Sequence, residues 1–192
     1  MLVDDMKNTL LTVSLLSAAA AISAAPVVTR GPSYNFIGAN IEGGDDGYKA
    51  LSADFSTSVN NYLYVHGETT IVGDDDFGDI SQTNVGIGVR FAIADSTNID
   101  LEAATGQIQR LNLVGVQFGG IGLGLRARLS DSFQLHPRLR YFAADGPLDD
   151  FGVFTLGLSF FPIDELSLDL NYARYFDGLE GNQFGLGVTY HF

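Results

Sequence analysis

The chain has 192 residues, 10 bases against 23 acids for a formal net charge of −13, and no cysteine. So acidic a chain is not built to neutralise phosphates, which excludes a nucleic-acid partner, and the missing thiols exclude a disulfide framework or a thiolate metal site. Hydrophobic residues at 46% with 23 glycines do not suit disorder; they suit a sheet protein with many close contacts.

From Met6 the chain reads MKNTLLTVSLLSAAAAISAAP. One lysine, Lys7, precedes an apolar run from Leu10 to Ile22 and then small residues, the order of a secretory signal. Cleavage is expected between Ser23 and Ala25, which removes residues 1–25 as a signal peptide and leaves 26–192 as one domain. Residues Met1 to Asp5 carry Asp4 and Asp5 ahead of the basic residue, which suits a mis-assigned start codon. The apolar run is well short of the roughly 20 residues of a spanning helix, and no later run approaches that length.

Beyond residue 30, apolar side chains recur at period two in about ten segments, the signature of β-strands with one greasy face. Segments near 34–42, 48–57 and 62–72 are weakly patterned. The fourth aligns Val85, Ile87, Val89, Phe91 and Ile93 against Asn84, Gly86, Gly88 and Arg90. After a weak fifth near 98–107, the sixth sets Ile121, Leu123, Leu125, Ala127 and Leu129 against Gly122, Gly124, Arg126 and Arg128. The seventh opposes Phe133, Leu135, Leu139 and Tyr141 to Gln134, His136, Arg138 and Arg140, with Pro137 on the apolar side. A proline removes a ladder donor, so a bulge is expected there. The eighth places Phe154, Leu156, Leu158 and Phe160 opposite Thr155, Gly157 and Ser159; the ninth, Leu166, Leu168, Leu170 and Tyr172 opposite Ser167, Asp169 and Asn171. The last carries Phe184, Leu186, Val188, Tyr190 and Phe192 on one face and Gln183, Gly185, Gly187, Thr189 and His191 on the other.

Connectors near 57–61, 94–98, 130–132 and 162–165 are short, whereas those near 43–47, 73–82, 108–116, 144–150 and 176–182 are mostly longer and more acidic. Short periplasmic turns and longer external loops are the asymmetry of a transmembrane barrel with an even strand number. The count is ten strands with both termini periplasmic, or eight if the first hairpin is misread. Aromatics on the apolar face gather near strand ends: Phe55, Phe91, Phe133, Phe160, Tyr190 and Phe192 at one level, Tyr141, Phe154, Tyr172 and Phe184 at the other. Aromatic rings settle at membrane interfaces, so the apolar face is read as facing lipid.

On the polar face Arg90, Arg126, Arg128, Arg138 and Arg140 balance Asp54, Glu68, Asp100, Glu102 and Asp169, as a lumen too narrow for bulk water requires. His66 and His136 join this charge network, and His191 shares the face. The remaining acids, among them Glu42, Asp45, Asp149, Asp150, Asp177 and Glu180, are placed in external loops. Lys49 and Arg174 fall on the apolar side near the outer rim, where they can snorkel.

The final strand, greasy on one face and closing on Phe192, resembles the assembly signal of bacterial outer-membrane barrels. The whole chain from about residue 30 is similar in plan to the small outer-membrane β-barrels, such as the barrel domain of outer-membrane protein A and the opacity-type surface proteins. The resemblance implies an all-β, transmembrane, antiparallel up-and-down barrel of the Gram-negative cell envelope. It implies contact with outer-membrane lipid and lipopolysaccharide, and with the barrel-assembly machinery through Phe184, Leu186, Val188, Tyr190 and Phe192. That family includes anchors, adhesins, small channels and lipid-modifying enzymes, so the fold alone leaves the activity open.

No enzyme is read from the residues. Outer-membrane lipid A deacylases pair a histidine with a serine two residues on, and here Glu68 and Arg138 stand two residues after His66 and His136. The loop GDDDFGD offers Asp74, Asp76 and Gly78 in the order that opens a calcium loop, but Val85 stands where the closing bidentate acid is needed. No cofactor or metal site follows. Glycines on the polar face supply room for bulky side chains of facing strands. The expected function is a structural or surface-interaction barrel with a largely plugged, charge-paired lumen and acidic external loops; the alternative is a narrow porin-like channel for ions or small solutes.

Overall fold

The computed structural model describes residues 32–73, 80–110, 115–145 and 148–192. The expected signal at 1–25, and Asp74, Asp76 and Gly78 of the acidic loop, lie outside the described residues. Ten strands follow in order: β1 (Phe36–Gly44), β2 (Lys49–Ser58), β3 (Leu63–Gly73), β4 (Ile80–Ala94), β5 (Thr97–Arg110), β6 (Val116–Ser130), β7 (Phe133–Ala144), β8 (Phe151–Ile163), β9 (Leu166–Asp177) and β10 (Gly181–His191). A single 3₁₀ turn, Asp45–Gly47, joins β1 to β2. Each strand pairs antiparallel with its sequence neighbours, and β1 closes on β10. The closing seam runs from Phe36↔His191 to Gly44↔Gln183. The barrel therefore has ten strands, and the eight-strand alternative is discarded. Among the described residues no helix is long and apolar enough to cross a membrane.

Both termini of the barrel lie at one rim, together with the short turns between β2 and β3, β4 and β5, β6 and β7, and β8 and β9. The other five connections share the opposite rim; three of them are longer, but those of β1–β2 (45–48) and β9–β10 (178–180) are no longer than the β2–β3 turn (59–62), so the expected difference in length holds only in part. Several strands run past the apolar alternation at that far rim. In β4 and β5, Ser81 pairs with Gln109 and Thr83 with Gln107, and the Thr83 hydroxyl meets that of Thr69 at 3.1 Å. Alternation marks contact with an apolar medium, whereas the ladder continues wherever backbone partners exist. Strand length and greasy length therefore differ.

The burial pattern is inverted relative to a soluble protein. Outward Ile121, Phe184 and Leu186 are 71%, 60% and 68% exposed, while inward Arg90, Asp100, Glu102 and Arg126 are buried. Exposed aromatics band the exterior, with Phe91, Phe133, Phe160 and Tyr190 toward the rim of the termini and Tyr141, Phe154 and Phe184 toward the far rim. From Phe133 to Tyr141 at ~3.3 Å per residue and ~40° of tilt the bands stand about 20 Å apart, close to the ~25 Å apolar belt of outer-membrane barrels. Phe133 packs on Phe160 at 5.3 Å and Tyr172 on Phe184 at 5.1 Å, pairing rings between adjacent strands.

Two expectations are corrected. The register runs unbroken past Pro137, which stands opposite Leu156 of β8; toward β6 the same offset holds at Gly124↔Arg138 and Ala127↔Leu135. The missing N–H interrupts the ladder without adding a residue, so no bulge forms. Register shifts fall instead at Ala92/Ala94, Arg128/Ser130 and Phe160/Ile163, all beside short turns where chain reversal needs them. Glu42, assigned by sequence to a loop, lies within β1, and its Oε1 accepts from the Ser52 hydroxyl at 2.7 Å.

Inward glycines stand opposite large rings. A Cβ at Gly88 would strike the ring of Tyr64, and one at Gly157 would strike His136. The small residues make the lumen packing possible.

Replacing Leu123, which pairs with Leu101 and Leu139 on the outer face, by arginine is expected to cost about 2–4 kcal/mol. Ile163→Arg, at the rim, is expected to cost at most ~1 kcal/mol. Urea unfolding of the lipid-reconstituted barrel measures both, and equal costs would remove the depth dependence.

Candidate functional site

The lumen gathers the ionisable groups, and its filling differs along the axis. At the rim of the termini, residues 32–35 enter the lumen ahead of β1. Tyr34 is 1% exposed, with the guanidinium carbons of Arg90 and Arg126 at 4.3 Å and 4.4 Å from its ring centroid. Its hydroxyl donates to Asp100, and the ring of Tyr64 lies 4.8 Å away. Arg126 also donates to the Ser33 carbonyl at 3.0 Å. Each cation–π contact contributes roughly 0.5–2 kcal/mol in a desolvated setting. Asn35 fastens the same segment to the closing seam: its side-chain oxygen accepts from Ser58 N at 2.7 Å and its carbonyl from Phe192 N at 3.1 Å. Arg90 ties the β2–β3 turn through the carbonyls of Asn60 and Asn61, both at 2.8 Å.

Further along, one wall is a ladder of ion pairs. Arg126 faces Asp100 at 3.9 Å, Arg138 faces Glu102 at 3.0 Å and Arg140 faces Glu68 at 3.7 Å. His66 stands 3.2 Å from the other oxygen of Glu102, without the alignment of a hydrogen bond. These residues come from β3, β5, β6 and β7, so the ladder crosses the barrel instead of following one strand.

The other wall, from β1, β2 and β9, holds acids with neutral partners. Asp54 accepts from Asn40 at 3.3 Å. Asp169 accepts from the Thr189 hydroxyl at 2.7 Å and from Ser167 at 3.1 Å. Glu42 takes Ser52 as above. Between the two walls lies a cavity of about 190 Å³, lined by Asp54, Asp169, Glu42, Arg138 and Arg140 among others.

Toward the far rim the inward side chains turn apolar. Phe118, Phe142, Phe151 and Val153 are buried together, with Ile108, Leu148, Tyr175 and Leu179 packed against them. Their ring centroids lie 5.2–5.9 Å apart.

Two histidines meet serines from neighbouring strands, a juxtaposition that spacing along one strand does not reveal. His136 Nε2 lies 3.3 Å from Ser159 Oγ, and His191 Nε2 lies 3.0 Å from Ser167 Oγ. Ser167 has one proton, and it goes to Asp169. His191 must therefore donate to Ser167, the reverse of the role a general base plays, and its Nδ1 has no carboxylate to orient it. At Ser167 the order of a hydrolytic triad is not formed.

The structure brings together Asp100 with Arg126, Glu102 with His66 and Arg138, and Glu68 with Arg140. It leaves Asp54, Asp169 and His136 with neutral hydrogen-bond partners, and Arg90 on backbone carbonyls and the Ser58 hydroxyl. Arg128 lies at the rim, 3.5 Å from the exposed Asp164, with its guanidinium carbon 5.0 Å from the ring of Phe161. Phe184, Leu186, Val188 and Tyr190 face outward and exposed, while Phe192 is half-buried. Tyr34, Tyr64 and the phenylalanine cluster escaped the sequence reading. Tyr34 opens the weakly patterned segment near 34–42 but lies ahead of β1, which starts at Phe36, and aromatics on the polar face break the rule that the reading relied on.

A sheet with leucine and isoleucine half exposed around its whole circumference would associate in water; hydrocarbon around it removes that drive. In hydrocarbon a sheet must also close, because an open edge would strand backbone groups there. The chain meets both conditions and is a ten-stranded transmembrane β-barrel. No protein-family model matches it, and no curated protein matches its sequence. Among solved structures it is similar to the KdgM porin, at 12% identity and a TM-score of 0.49 over 82% of this chain and 99% of that one. It is similar also to the beta domain of the Bordetella autotransporter BrkA, at 11% identity and 0.47 over 82% and 97%. A third likeness is to the outer-membrane-expressed OmpT of Vibrio cholerae, at 12% and 0.42 over 76% and 57%. Identities this low bear on fold alone, and the barrel assignment rests on this chain's own pairing and faces.

Arg138→Ala leaves Glu102 without its closest cation, and removing one partner of a buried pair costs about 3–5 kcal/mol. Adding Glu102→Gln to that variant is expected to recover part of the loss. Urea midpoints of the two variants in micelles decide it: no recovery in the double variant would deny the coupling.

Proposed function

We propose that this protein is an occluded outer-membrane barrel acting as a structural or surface-interaction element of the cell envelope, without enzymatic activity. The single observation that carries the reading is the filling of the lumen at both ends by the chain's own side chains. Tyr34 under two guanidinium groups fills the end at the termini, and the Phe118–Phe142–Phe151 cluster fills the other. Ion pairs across the middle support it, since a charge that is not hydrated must be paired.

In this reading the rim of the termini is periplasmic, residues 1–25 are a removed signal, and residues 26–192 form the mature barrel. The final strand addresses the assembly machinery through Phe184, Leu186, Val188, Tyr190 and Phe192. The far rim faces outward and presents exposed Asp45, Asp149, Asp150, Asp177 and Glu180. Such a surface repels anionic lipopolysaccharide sugars unless cations lie between them, and favours basic partners. A second reading, the narrow channel, is favoured by the mid-lumen cavity, and would require both end fillings to move aside.

Purified protein in a planar lipid bilayer tests the choice. The occluded reading predicts a silent membrane under applied voltage. Discrete conductance steps from the unaltered protein would overturn it in favour of the channel.

A further inference from the structure

The two closures of the lumen are built differently. Phe118, Phe142 and Phe151 at the far rim belong to β6, β7 and β8, so the ladder fixes their backbone and only the rings can turn. Parting them would also bring their buried apolar surface into contact with water. Tyr34 at the rim of the termini lies ahead of β1, outside every strand. It is held by Arg90, Arg126 and Asp100, groups that water hydrates well when the ring leaves.

The walls around Tyr34 have partners that do not depend on it. Arg90 keeps the carbonyls of Asn60 and Asn61 at 2.8 Å and the Ser58 hydroxyl at 3.2 Å, and Arg126 keeps Asp100 at 3.9 Å. The segment also has a fixed pivot, because Asn35 is tied to Ser58 N and Phe192 N. Departure of Pro32, Ser33 and Tyr34 ends two cation–π contacts, the ring contact with Tyr64 and the bonds to Asp100 and from Arg126. It leaves the strand pairing intact. Directly behind the tyrosine lies the mid-lumen cavity of about 190 Å³: Arg126 and Tyr64, which touch Tyr34 on one side, line that cavity on the other.

We propose that residues 32–34 are a releasable latch turning about Asn35, and that its release opens the mid-lumen cavity to small solutes from the rim of the termini alone. The phenylalanine cluster stays shut, so the released barrel is a vessel with one mouth and not a through-channel. This extends the occluded reading and rests on it for the closed state.

The chain has no cysteine, so Thr155→Cys, at a position that lines the cavity, reports access by its rate of reaction with a small water-soluble methanethiosulfonate. The whole barrel is used, refolded in detergent micelles, and gel mobility without heating reports that each variant is folded. Reaction of a covered site follows the population of its open form. Adding Tyr34→Ala is therefore expected to speed the reaction about tenfold or more, a factor that the loss of two desolvated cation–π contacts accounts for. Tyr34→Phe, which keeps a ring between the guanidinium groups, and Phe142→Ala at the far rim are each expected to change the rate by less than about twofold. p-Cresol, the side chain that Tyr34→Ala removes, is expected to slow that variant again, a response that general loosening of the barrel would not give. Should Tyr34→Ala fail to fold, Tyr34→Leu, which ends the cation–π contacts but keeps an apolar side chain, is expected to speed the reaction to a smaller extent. No acceleration by a folded Tyr34 variant would overturn the latch and leave the occluded reading standing. Equal acceleration by Phe142→Ala would overturn the single mouth. Fast reaction of Thr155→Cys alone would refute the occlusion itself, and the latch with it.

Discussion

In hydrocarbon no water exists to take up a backbone N–H or C=O, so a sheet that enters the bilayer must return to itself. The seam between β1 and β10 is where this chain meets that demand, pairing nine residues of β1 in register with β10. Other features follow from it. Register shifts, which leave backbone groups unpaired, fall beside the short turns at the rim and not within the belt. Pro137 is tolerated at mid-strand because its ring needs no partner and its neighbours hold the offset. The closing strand is fastened further by Asn35, which bonds to both Phe192 and Ser58.

Closure also creates an inside. With side chains alternating across the sheet, every lipid-facing leucine or isoleucine is flanked by residues that point at the axis. A ring of about eight strands is filled by its own side chains and ten strands leave a little more room. This chain uses that room unevenly, with aromatic packing toward the far rim, a clamped tyrosine at the rim of the termini, and ions and a cavity between. Glycines such as Gly88 and Gly157 make space for Tyr64 and His136, so interior packing is as much a matter of small residues as of large ones.

How far this could be read from sequence depended on which rule each residue obeys. The outward face was legible because lipid enforces period two, and Val85 to Ile93 or Phe184 to Tyr190 follow it without exception. Strand ends were less legible because Ser81, Thr83 and Gln107 pair above the belt, where nothing requires apolar side chains. Glu42 was misplaced for that reason. The interior was legible in composition but not in contacts. That Arg138 meets Glu102, or that Ser167 stands between His191 and Asp169, depends on register and barrel curvature, which no single strand carries. Tyr34 was invisible because its role is tertiary: a residue outside the strands held by two arginines from β4 and β6.

Closure, the inward charges and the outward leucines all depend on hydrocarbon touching the outer face. The chain contains no tryptophan, so single tryptophans introduced by Leu123→Trp on the outer face and Thr155→Trp on the inner face can each be read alone. In vesicles of lipid brominated on the acyl chains, the fluorescence at position 123 should be strongly quenched and that at position 155 left nearly intact. Quenching of both alike, or of position 155 alone, would contradict the lipid-facing assignment.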